Sequence, residues 1–215
     1  MKMIIDNENA ELISKILLEV EAVKLNPNNP FIWASGWKSP IYCDNRLSLS
    51  FPKARKTITD KLCEGIKKHY PDVELIAGVA TAGIPQGALI AERLGLPFVY
   101  VRSKSKGHGM TNLIEGKVVP NQKCVVIEDL ISTGGSSLKA ANDLIAVEID
   151  VIGMAAIFTY GFDVAYQNFE ENNISLFCLS DYSNLIQSAM ASGYINADQI
   201  DNLNMWKESP QTWGQ

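Results

Sequence analysis

Two adjacent acids follow an apolar run and precede a turn rich in hydroxyl groups and glycine, in the segment VVIEDLISTGGSS (125–137). The carboxylates of Glu128 and Asp129 can accept hydrogen bonds from vicinal sugar hydroxyls or reach a hydrated Mg²⁺. Hydroxyl and amide donors in the turn suit one terminal phosphate, which the dipole of a following helix also favours. These donors belong to Ser132, Thr133, Gly134, Gly135, Ser136 and Ser137. An acid pair beside a phosphate-binding turn predicts a site for a phosphorylated ribose.

Other interpretations of this segment explain fewer of its residues. An acid pair can simply cap the next helix above an ordinary glycine-rich turn, but that leaves the full string of hydroxyls and glycines unexplained. The sequence has no G-x-x-x-x-G-K-[ST] and no G-x-G-x-x-G after a strand. It therefore lacks both the ATP-binding Walker loop and the dinucleotide fingerprint.

Two further loops have unusual compositions. The segment ATAGIPQG (80–87) is made largely of small residues, which let backbone N–H groups approach an anion at a helix N-terminus. The segment RSKSKGHGMTNLIEG (102–116) alternates cations with small residues. A solvated basic loop is the plain alternative, but cations on a glycine-rich segment near a phosphate site predict a lid that closes over a polyanion. The cations are Arg102, Lys104, Lys106 and His108.

The elements that carry these loops alternate between apolar strands and helices. Apolar runs without polar alternation, separated by helical segments, indicate a parallel sheet covered on both faces, so the fold class is α/β and doubly wound. In such sheets ligands bind outside the carboxyl ends of the strands, where all three loops fall. We predict core strands at 74–80, 97–101, 124–129, 150–160 and 175–179, and helices at 53–69, 84–94, 136–146 and 164–171.

The two ends of the chain flank this core. The N-terminal helix has a predicted buried stripe of Leu12, Ile13, Ile16, Leu17 and Val20, and β-prone pieces at 31–33 and 41–43 follow it around a turn. The tail, 181–206, is predicted to be helical, with core positions at Leu185, Ile186 and Met190. We predict three parts: 1–50, an N-terminal helix and a small segment that we call the hood; 51–180, the α/β core; and 181–215, a helical tail packed on the core.

Composition limits the function classes. The 215 residues, 47% hydrophobic with a net charge of -5, suit one soluble globular domain and argue against non-specific binding to nucleic acid or anionic membrane. The four cysteines lack C-x-x-C spacing, so free thiols in a reducing cytoplasm are expected rather than a zinc site or disulfides. The N-terminus turns polar too soon for a signal peptide, and no apolar run could span a bilayer. We expect a cytoplasmic protein without membrane or nucleic-acid partners.

At this point the residues carry a family resemblance. VVIEDLISTGGSS resembles the phosphoribosyl-pyrophosphate (PRPP) binding motif of the type I phosphoribosyltransferases. VRSKSKGHG (101–109) and FIWASGWKSPIYCDNR (31–46) look like the orotate phosphoribosyltransferases within that family. The resemblance spans the chain from the first helix to the last core strand. It implies a Mg²⁺-dependent enzyme of pyrimidine biosynthesis that transfers a phosphoribosyl group from PRPP to N1 of orotate, and a homodimer that shares the lid loop across its interface.

The resemblance also implies residue roles. Glu128 and Asp129 would hold the ribose hydroxyls, the turn from Ser132 to Ser136 would wrap the 5-phosphate, and the loop at 80–85 would bind pyrophosphate through its backbone amides. Lys106, Asp129 and His108 would be catalytic, and Arg102, Lys106 and His108 would reach the partner subunit's site. The Mg²⁺ ion would be held mainly by PRPP and water, without a direct protein ligand. The implied PRPP-binding residues are Arg102, Lys104, Lys106, His108, Glu128, Asp129, Leu130, Ile131, Ser132, Thr133, Gly134, Gly135 and Ser136, and the pyrophosphate loop contains Ala80, Thr81, Ala82 and Gly83.

The base-binding residues depart from the family pattern. Ser103 and Ala34 stand where many members have lysine, and nearby Lys104 and Lys38 are expected to substitute. No arginine follows the fifth core strand, in FTYGF (158–162). The predicted orotate contacts are Ser132, Lys38 and Arg46, with the Arg46 guanidinium suited to a bidentate contact with the orotate carboxylate.

The sequence leaves three alternative functions to consider. The nearest is a phosphoribosyltransferase for another base, such as adenine or hypoxanthine, against which the N-terminal segment argues. A PRPP-binding regulator of nucleic acid would be expected to show a basic face or a helix-turn-helix, and the sequence shows neither. A protein that only mediates interactions would leave the acids and the lid unexplained.

Overall fold

In the computed structural model, which describes residues 3–33, 36–104 and 113–214, the chain folds around a seven-stranded sheet. The strands are β1 (Met3–Ile5), β2 (Val23–Leu25), β3 (Phe31–Ile32), β4 (Lys38–Ser39), β5 (Ile41–Cys43), β6 (Leu75–Val79), β7 (Phe98–Val101), β8 (Ile114–Glu115), β9 (Lys123–Ile131), β10 (Asp150–Thr159) and β11 (Leu176–Asp181). The helices are α1 (Ala10–Glu19), α2 (Pro52–His69), α3 (Gly83–Leu94), α4 (Gly135–Ile145), α5 (Asp163–Glu171), α6 (Tyr182–Ala191) and α7 (Ile200–Glu208).

The main sheet has the order β1-β11-β10-β9-β6-β7-β8, and all its neighbours are parallel except β7 and β8. This confirms the predicted doubly wound, mainly parallel α/β fold. From β6 the chain moves outward to β7 and then returns to β9 on the opposite side of β6. The loops that leave β6 and β9 therefore diverge, and a crevice opens between them at the carboxyl edge of the sheet.

The central strands are apolar throughout because both faces of the sheet are covered. On β9, Val125 and Ile127 belong to the core formed with α1, α2, α3, α6 and α7. Cys124 and Val126 belong to the core formed with α4 and α5. Successive side chains of a strand point to opposite faces, so each residue of this run is buried against a different set of helices.

The hood lies over the carboxyl edge of the sheet. Strand β2 pairs with β5 and β3 pairs with β4, both antiparallel, and a 3₁₀-helix at Asn45–Ser50 leads into α2. Since β1 pairs with β11, the first fifty residues also supply one edge strand of the main sheet. The predicted division of the chain at residues 50 and 180 stays a prediction.

Several element-level predictions need correction. Leu12 and Met190 were expected in the core but are exposed, because the buried faces of their helices run past them. These faces consist of Ala10, Ile13, Ser14, Leu17 and Leu18 in α1 and of Tyr182, Leu185, Ile186, Ser188 and Ala189 in α6. Strand β9 continues to Ile131, two residues beyond its predicted end. Strands β1, β2, β4 and β8 were not predicted; each has only two or three residues. Because β4 lies in the predicted turn and pairs with β3, the pieces at 31–33 and 41–43 do not pair with each other.

His69 ends α2, with its ring centroid 5.0 Å from that of Phe177. No helix within the described ranges is long and apolar enough to cross a membrane. The cytoplasmic location stays a prediction.

Helix α2 can approach the sheet closely only because Gly65 has no side chain. A Cβ at this position would lie 2.2 Å from the Phe177 ring on β11. Alanine favours a helix by about 1 kcal/mol over glycine, but overpacking a core costs about 1 to 3 kcal/mol and a contact this short belongs at the upper end. We therefore expect Gly65→Ala to lower the free energy of unfolding, measured by urea denaturation.

The matched control is the double variant Gly65→Ala with Phe177→Leu. The smaller side chain makes room for the new methyl group, so the double variant should lose clearly less stability than the sum of the two single changes. Strictly additive losses would show that this contact does not limit the packing of α2.

Candidate active site

The two acids of the phosphate segment lie near the end of β9, as predicted, with two further strand residues after them. Glu128 is only 6% exposed, and both of its carboxylate oxygens are engaged within the protein. Its Oε2 accepts a hydrogen bond from the Ser137 hydroxyl at 3.0 Å, and its Oε1 accepts one from the Asp129 backbone N–H at 3.1 Å. Ser137 lies in the first turn of α4, so this bond ties the end of β9 to the start of the helix that follows the phosphate turn.

Burial keeps one proton on the acid pair. Burial raises the pKa of Glu128 to about 8, and the neighbouring charge of Asp129 adds to that shift. Burial also raises the pKa of Asp129, but its hydrogen bonding with Glu128 and the charge of Arg46 oppose the rise. The pair therefore binds a proton more tightly than two exposed carboxyl groups would, and burial favours the protonated form of Glu128.

The predicted phosphate turn connects β9 to α4. Gly134 caps α4 in the left-handed conformation, at φ 81°, and a Cβ there would lie 2.7 Å from the Phe169 ring. The Asn168 amide donates to the Thr133 carbonyl at 2.9 Å, so a hydrogen bond holds the turn against α5. The first N–H groups of a helix lack intrahelical acceptors, and this turn presents those of α4 toward the crevice as an anion site.

The predicted pyrophosphate loop, 80–83, connects β6 to α3 on the other side of the crevice. A Cβ on Gly83 would lie 2.3 Å from the Ile127 carbonyl oxygen, and one on Gly78 would lie 2.8 Å from the Gly83 carbonyl oxygen. The absence of these side chains lets the start of α3 press against β9. The Ala80 N–H donates to the Val101 carbonyl at 2.9 Å, and the Ala80–Thr81 peptide bond is cis. The loop therefore lies beside the carboxylates.

The base of the predicted lid lies next to this loop. The Arg102 N–H donates to the Leu113 carbonyl at 2.8 Å, so the two ends of the lid segment lie side by side. The Arg102 guanidinium is 3.5 Å from the Glu115 carboxylate. Arg102, Ala80 and Ser136 line a small cavity of about 120 Å³, which brings together the three predicted phosphate-binding segments. Lys104 is exposed, and Lys106 and His108 lie outside the described residues.

One hydrogen bond fixes the hood on β9. The Asn45 side-chain amide donates to the Asp129 carbonyl at 2.7 Å, and the Cys43 thiol donates to Asn45 Oδ1 at 3.4 Å. Asn45 was not among the predicted site residues. It lies within the segment that carries the family resemblance, but its type and position alone do not indicate a contact with β9.

The predicted orotate contacts have other partners in this structure. The Arg46 Nε and Nη2 atoms bind the Asp44 carboxylate at 2.6 and 2.8 Å, and the Lys38 ammonium donates to the Gly214 carbonyl at 2.6 Å. Ser132 is half-buried in the phosphate turn. Arg46 remains close enough to the site to lower the pKa of Asp129. The orotate-binding roles of Ser132, Lys38 and Arg46 stay predictions.

Comparisons with known proteins show what this chain is similar to. Residues 53–185 match the model of the phosphoribosyl transferase domain family. The chain is 56% identical to the orotate phosphoribosyltransferase of Porphyromonas gingivalis, over 95% of this chain and 97% of that protein. It is 57% identical to that of Cytophaga hutchinsonii, over 92% of this chain and 94% of that protein.

Solved structures show the same fold. Orotate phosphoribosyltransferase from Aeropyrum pernix has a TM-score of 0.74 at 26% identity, covering 86% of this chain and 99% of that one. The Mycobacterium tuberculosis enzyme in complex with PRPP has a TM-score of 0.65 at 21% identity, covering 82% of this chain and 98% of that one. At that lower identity the likeness concerns the fold alone.

The buried proton of Glu128 predicts how stability depends on pH. The pKa of Glu128 is about 8 in the folded state against an ordinary value of 4.5, so the folded state holds a proton that the unfolded state releases. Stability from this group is therefore complete at low pH and is lost as the pH rises through 8. Glu128→Gln cannot titrate, so we expect the variant to gain stability relative to the parent protein between pH 5 and pH 8.

The measurement is urea denaturation of both proteins across this range. Most other titrating groups are common to both proteins, so the difference between the two curves isolates the acid pair. Parallel curves would contradict the assignment of a proton to Glu128.

Proposed function

The chain belongs to the orotate phosphoribosyltransferase family, and we propose from this premise how its described residues carry out the reaction. The enzyme transfers the 5-phosphoribosyl group of PRPP to N1 of orotate, forming orotidine 5-phosphate and pyrophosphate in pyrimidine biosynthesis. The observation that carries this function is the identity of 56% with an orotate phosphoribosyltransferase over nearly the whole chain. The arrangement of the acid pair, the phosphate turn and the pyrophosphate loop around one crevice supports it.

PRPP lies across the crevice in this proposal. The 5-phosphate binds the turn before α4, the pyrophosphate binds the loop before α3, and the ribose lies between them beside Asp129. The two loops start from adjacent strands, β9 and β6, so one substrate can contact both. Binding each end of PRPP at a helix N-terminus leaves its central carbon, C1, facing the hood.

In this proposal no residue of the protein forms a covalent bond with the substrates. The C1–O bond to pyrophosphate breaks with its electron pair, the bond from orotate N1 to C1 forms with inversion, and the N1 proton is released. Positive charge develops on the ribose in an oxocarbenium-like transition state, and the Asp129 carboxylate, when ionised, would stabilise it. Negative charge develops on pyrophosphate, where Arg102, Lys106 and His108 would act. A closed lid would also exclude water and prevent hydrolysis of PRPP.

The described residues fit a Mg²⁺ ion that is held by the substrate rather than by a protein cage. In the ranges 3–33, 36–104 and 113–214, no group of three or more His, Cys, Asp or Glu side chains could hold a metal ion. Mg²⁺ commonly keeps several waters and binds through substrate phosphates with one or two carboxylates. Asp129 would contact such an ion through water, and the ion would neutralise charge on the pyrophosphate group.

The active form in this proposal is a homodimer in which each lid reaches the partner subunit's site. The hood side of the molecule supports this arrangement, because it exposes apolar side chains that a second copy could cover. Ile32 is 76% exposed, and Leu47 and Phe51 are exposed as well. Exposed apolar patches of this kind often mark protein interfaces.

The first experiment follows orotate by its ultraviolet absorbance in the presence of PRPP and Mg²⁺, with adenine, hypoxanthine and uracil in parallel. We expect loss of orotate alone, which depends on PRPP and stops when EDTA removes the metal. Turnover of a purine base would favour the alternative base specificity. No turnover of any base, despite PRPP binding, would contradict an enzymatic function.

The lid lysine gives the second prediction. We expect Lys106→Ala to lower kcat about a hundredfold or more, the scale seen when a preorganised charge stabiliser is lost. Lys117→Ala is the matched control, because it removes an exposed lysine just after the lid and should leave kcat unchanged. An equal effect of both variants would contradict a catalytic role for Lys106.

Mixing subunits tests whether the lid acts across the dimer. Lys106→Ala and Asp129→Asn subunits are each expected to be nearly inactive alone. A hybrid dimer would contain one site with an intact lid and an intact carboxylate, so partial activity should return on mixing. No recovery, in hybrids shown to form, would place the lid in its own subunit's site.

A further inference from the structure

Tyr160 lies at the edge of the sheet where the substrates meet. It directly follows β10, the neighbour of β9, and its backbone N–H donates to the Ile131 carbonyl at 3.1 Å. This bond fixes its main chain next to the last residue of β9, two positions after Asp129. The side chain is only 3% exposed. Tyr160 was not among the residues predicted from the sequence.

An aromatic cluster holds the ring of Tyr160 in one orientation. Its centroid lies 5.4 Å from that of Trp33 in the hood, 5.4 Å from that of Phe162 and 5.5 Å from that of Trp206 in α7. The Trp33 indole N–H in turn donates to the Ile41 carbonyl at 3.1 Å. The Tyr160 ring therefore packs between the hood, the edge of the sheet and the tail.

The hydroxyl of Tyr160 differs from those of the other deeply buried tyrosines. The Tyr182 hydroxyl donates to the Leu203 carbonyl at 3.0 Å, and the Tyr70 hydroxyl bonds the Met154 carbonyl and Ser175. Within the described ranges, the Tyr160 hydroxyl forms no hydrogen bond with the protein. A buried tyrosine hydroxyl usually finds a partner, so this one is available to a ligand.

The surroundings of this hydroxyl belong to the active site. Burial raises the pKa of Tyr160 well above its usual value, and Cys43 in the hood and Asp129 are near enough to raise it further. The phenol therefore stays protonated and neutral at any physiological pH, and it can donate a hydrogen bond. Cys43 and Asp129 are the residues that Asn45 joins, so the hydroxyl lies where the hood meets β9.

We propose that Tyr160 contacts the base, with its hydroxyl donating a hydrogen bond to an oxygen in the plane of orotate. This inference rests on the proposed function. Orotate is a flat anion with two carbonyl groups and a carboxylate, and a phenol is a good donor to such oxygens. FTYGF, at the end of β10, contains no cationic side chain, so the Tyr160 hydroxyl is the side-chain hydrogen-bond donor that this segment offers besides Thr159, whose hydroxyl already donates to the Ile131 carbonyl. A site that provides a buried donor also disfavours bases that leave it unpaired.

A purely structural role is the competing account, since the ring clearly contributes to the aromatic cluster. Tyr160→Phe separates the two roles because it removes only the hydroxyl and keeps the ring. Tyr182→Phe is the matched control: its ring belongs to the same cluster, 5.2 Å from that of Trp206, but its hydroxyl already has a protein partner.

The experiment compares steady-state kinetics and thermal unfolding of the parent enzyme and both variants. For Tyr160→Phe, we expect the KM for orotate to rise about tenfold or more, the effect of losing a hydrogen bond to a charged acceptor. The KM for PRPP and the Tm should be unchanged. For Tyr182→Phe, we expect a lower Tm with both KM values unchanged. Titration of orotidine 5-phosphate should show the same loss of affinity for Tyr160→Phe alone.

Two results would overturn the inference. One is an orotate KM and an orotidine 5-phosphate affinity of Tyr160→Phe within twofold of the parent values. The other is a lower Tm together with equal increases in both KM values, which would show that the hydroxyl serves only the fold. Failure of the proposed function is distinct, because the parent enzyme itself would then convert no orotate, and the inference about Tyr160 would be refuted with it.

Discussion

Burial of β9 on both faces is the constraint on which the site depends. A parallel strand covered by helices on each side tolerates polar side chains only where the sheet ends, because a buried charge without partners is costly. Glu128 and Asp129 lie at that end. The free-energy cost of burying Glu128 is reduced by hydrogen bonds from the Ser137 hydroxyl and the Asp129 backbone N–H and by protonation, which burial favours. Asp129, the other acid of the pair, lies beside the hood, where Asn45 donates to its carbonyl.

The crevice between two loops follows from the same arrangement. Because β6 and β9 are neighbours and their following helices cover opposite faces, the loops after these strands diverge and border one crevice. Gly83 lets the second loop press against the main chain of β9, at a distance that any side chain would prevent. In the proposed function, this arrangement suits an elongated substrate with an anionic group at each end.

The sequence predicted the parts of the site that depend on local pattern. The apolar run before Glu128, the glycines of the turn and the small residues at 80–83 each indicate a strand end or an anion-binding loop by composition alone. Contacts between distant segments could not be predicted in this way. Asn45 reaches Asp129 across 84 positions, and Lys38 reaches Gly214 across 176. Tyr160 is the last residue of a predicted strand, and nothing in the strand pattern indicates its contact with the hood. The exposure of Leu12 depends on how α1 packs against neighbouring elements, which the spacing of apolar residues does not determine.

The tail braces the hood, and this gives the end of the chain a different effect on the two sides of the crevice. Trp206 packs edge-on against Trp33, Gly214 accepts the Lys38 hydrogen bond, and Asn202 joins Pro27 to Trp213. The turn before α4, by contrast, packs through Gly134 against Phe169 of α5, which precedes the tail. Removing the last residues of the chain would therefore free the hood at Pro27 and Lys38 and leave the contact between Gly134 and Phe169 in place.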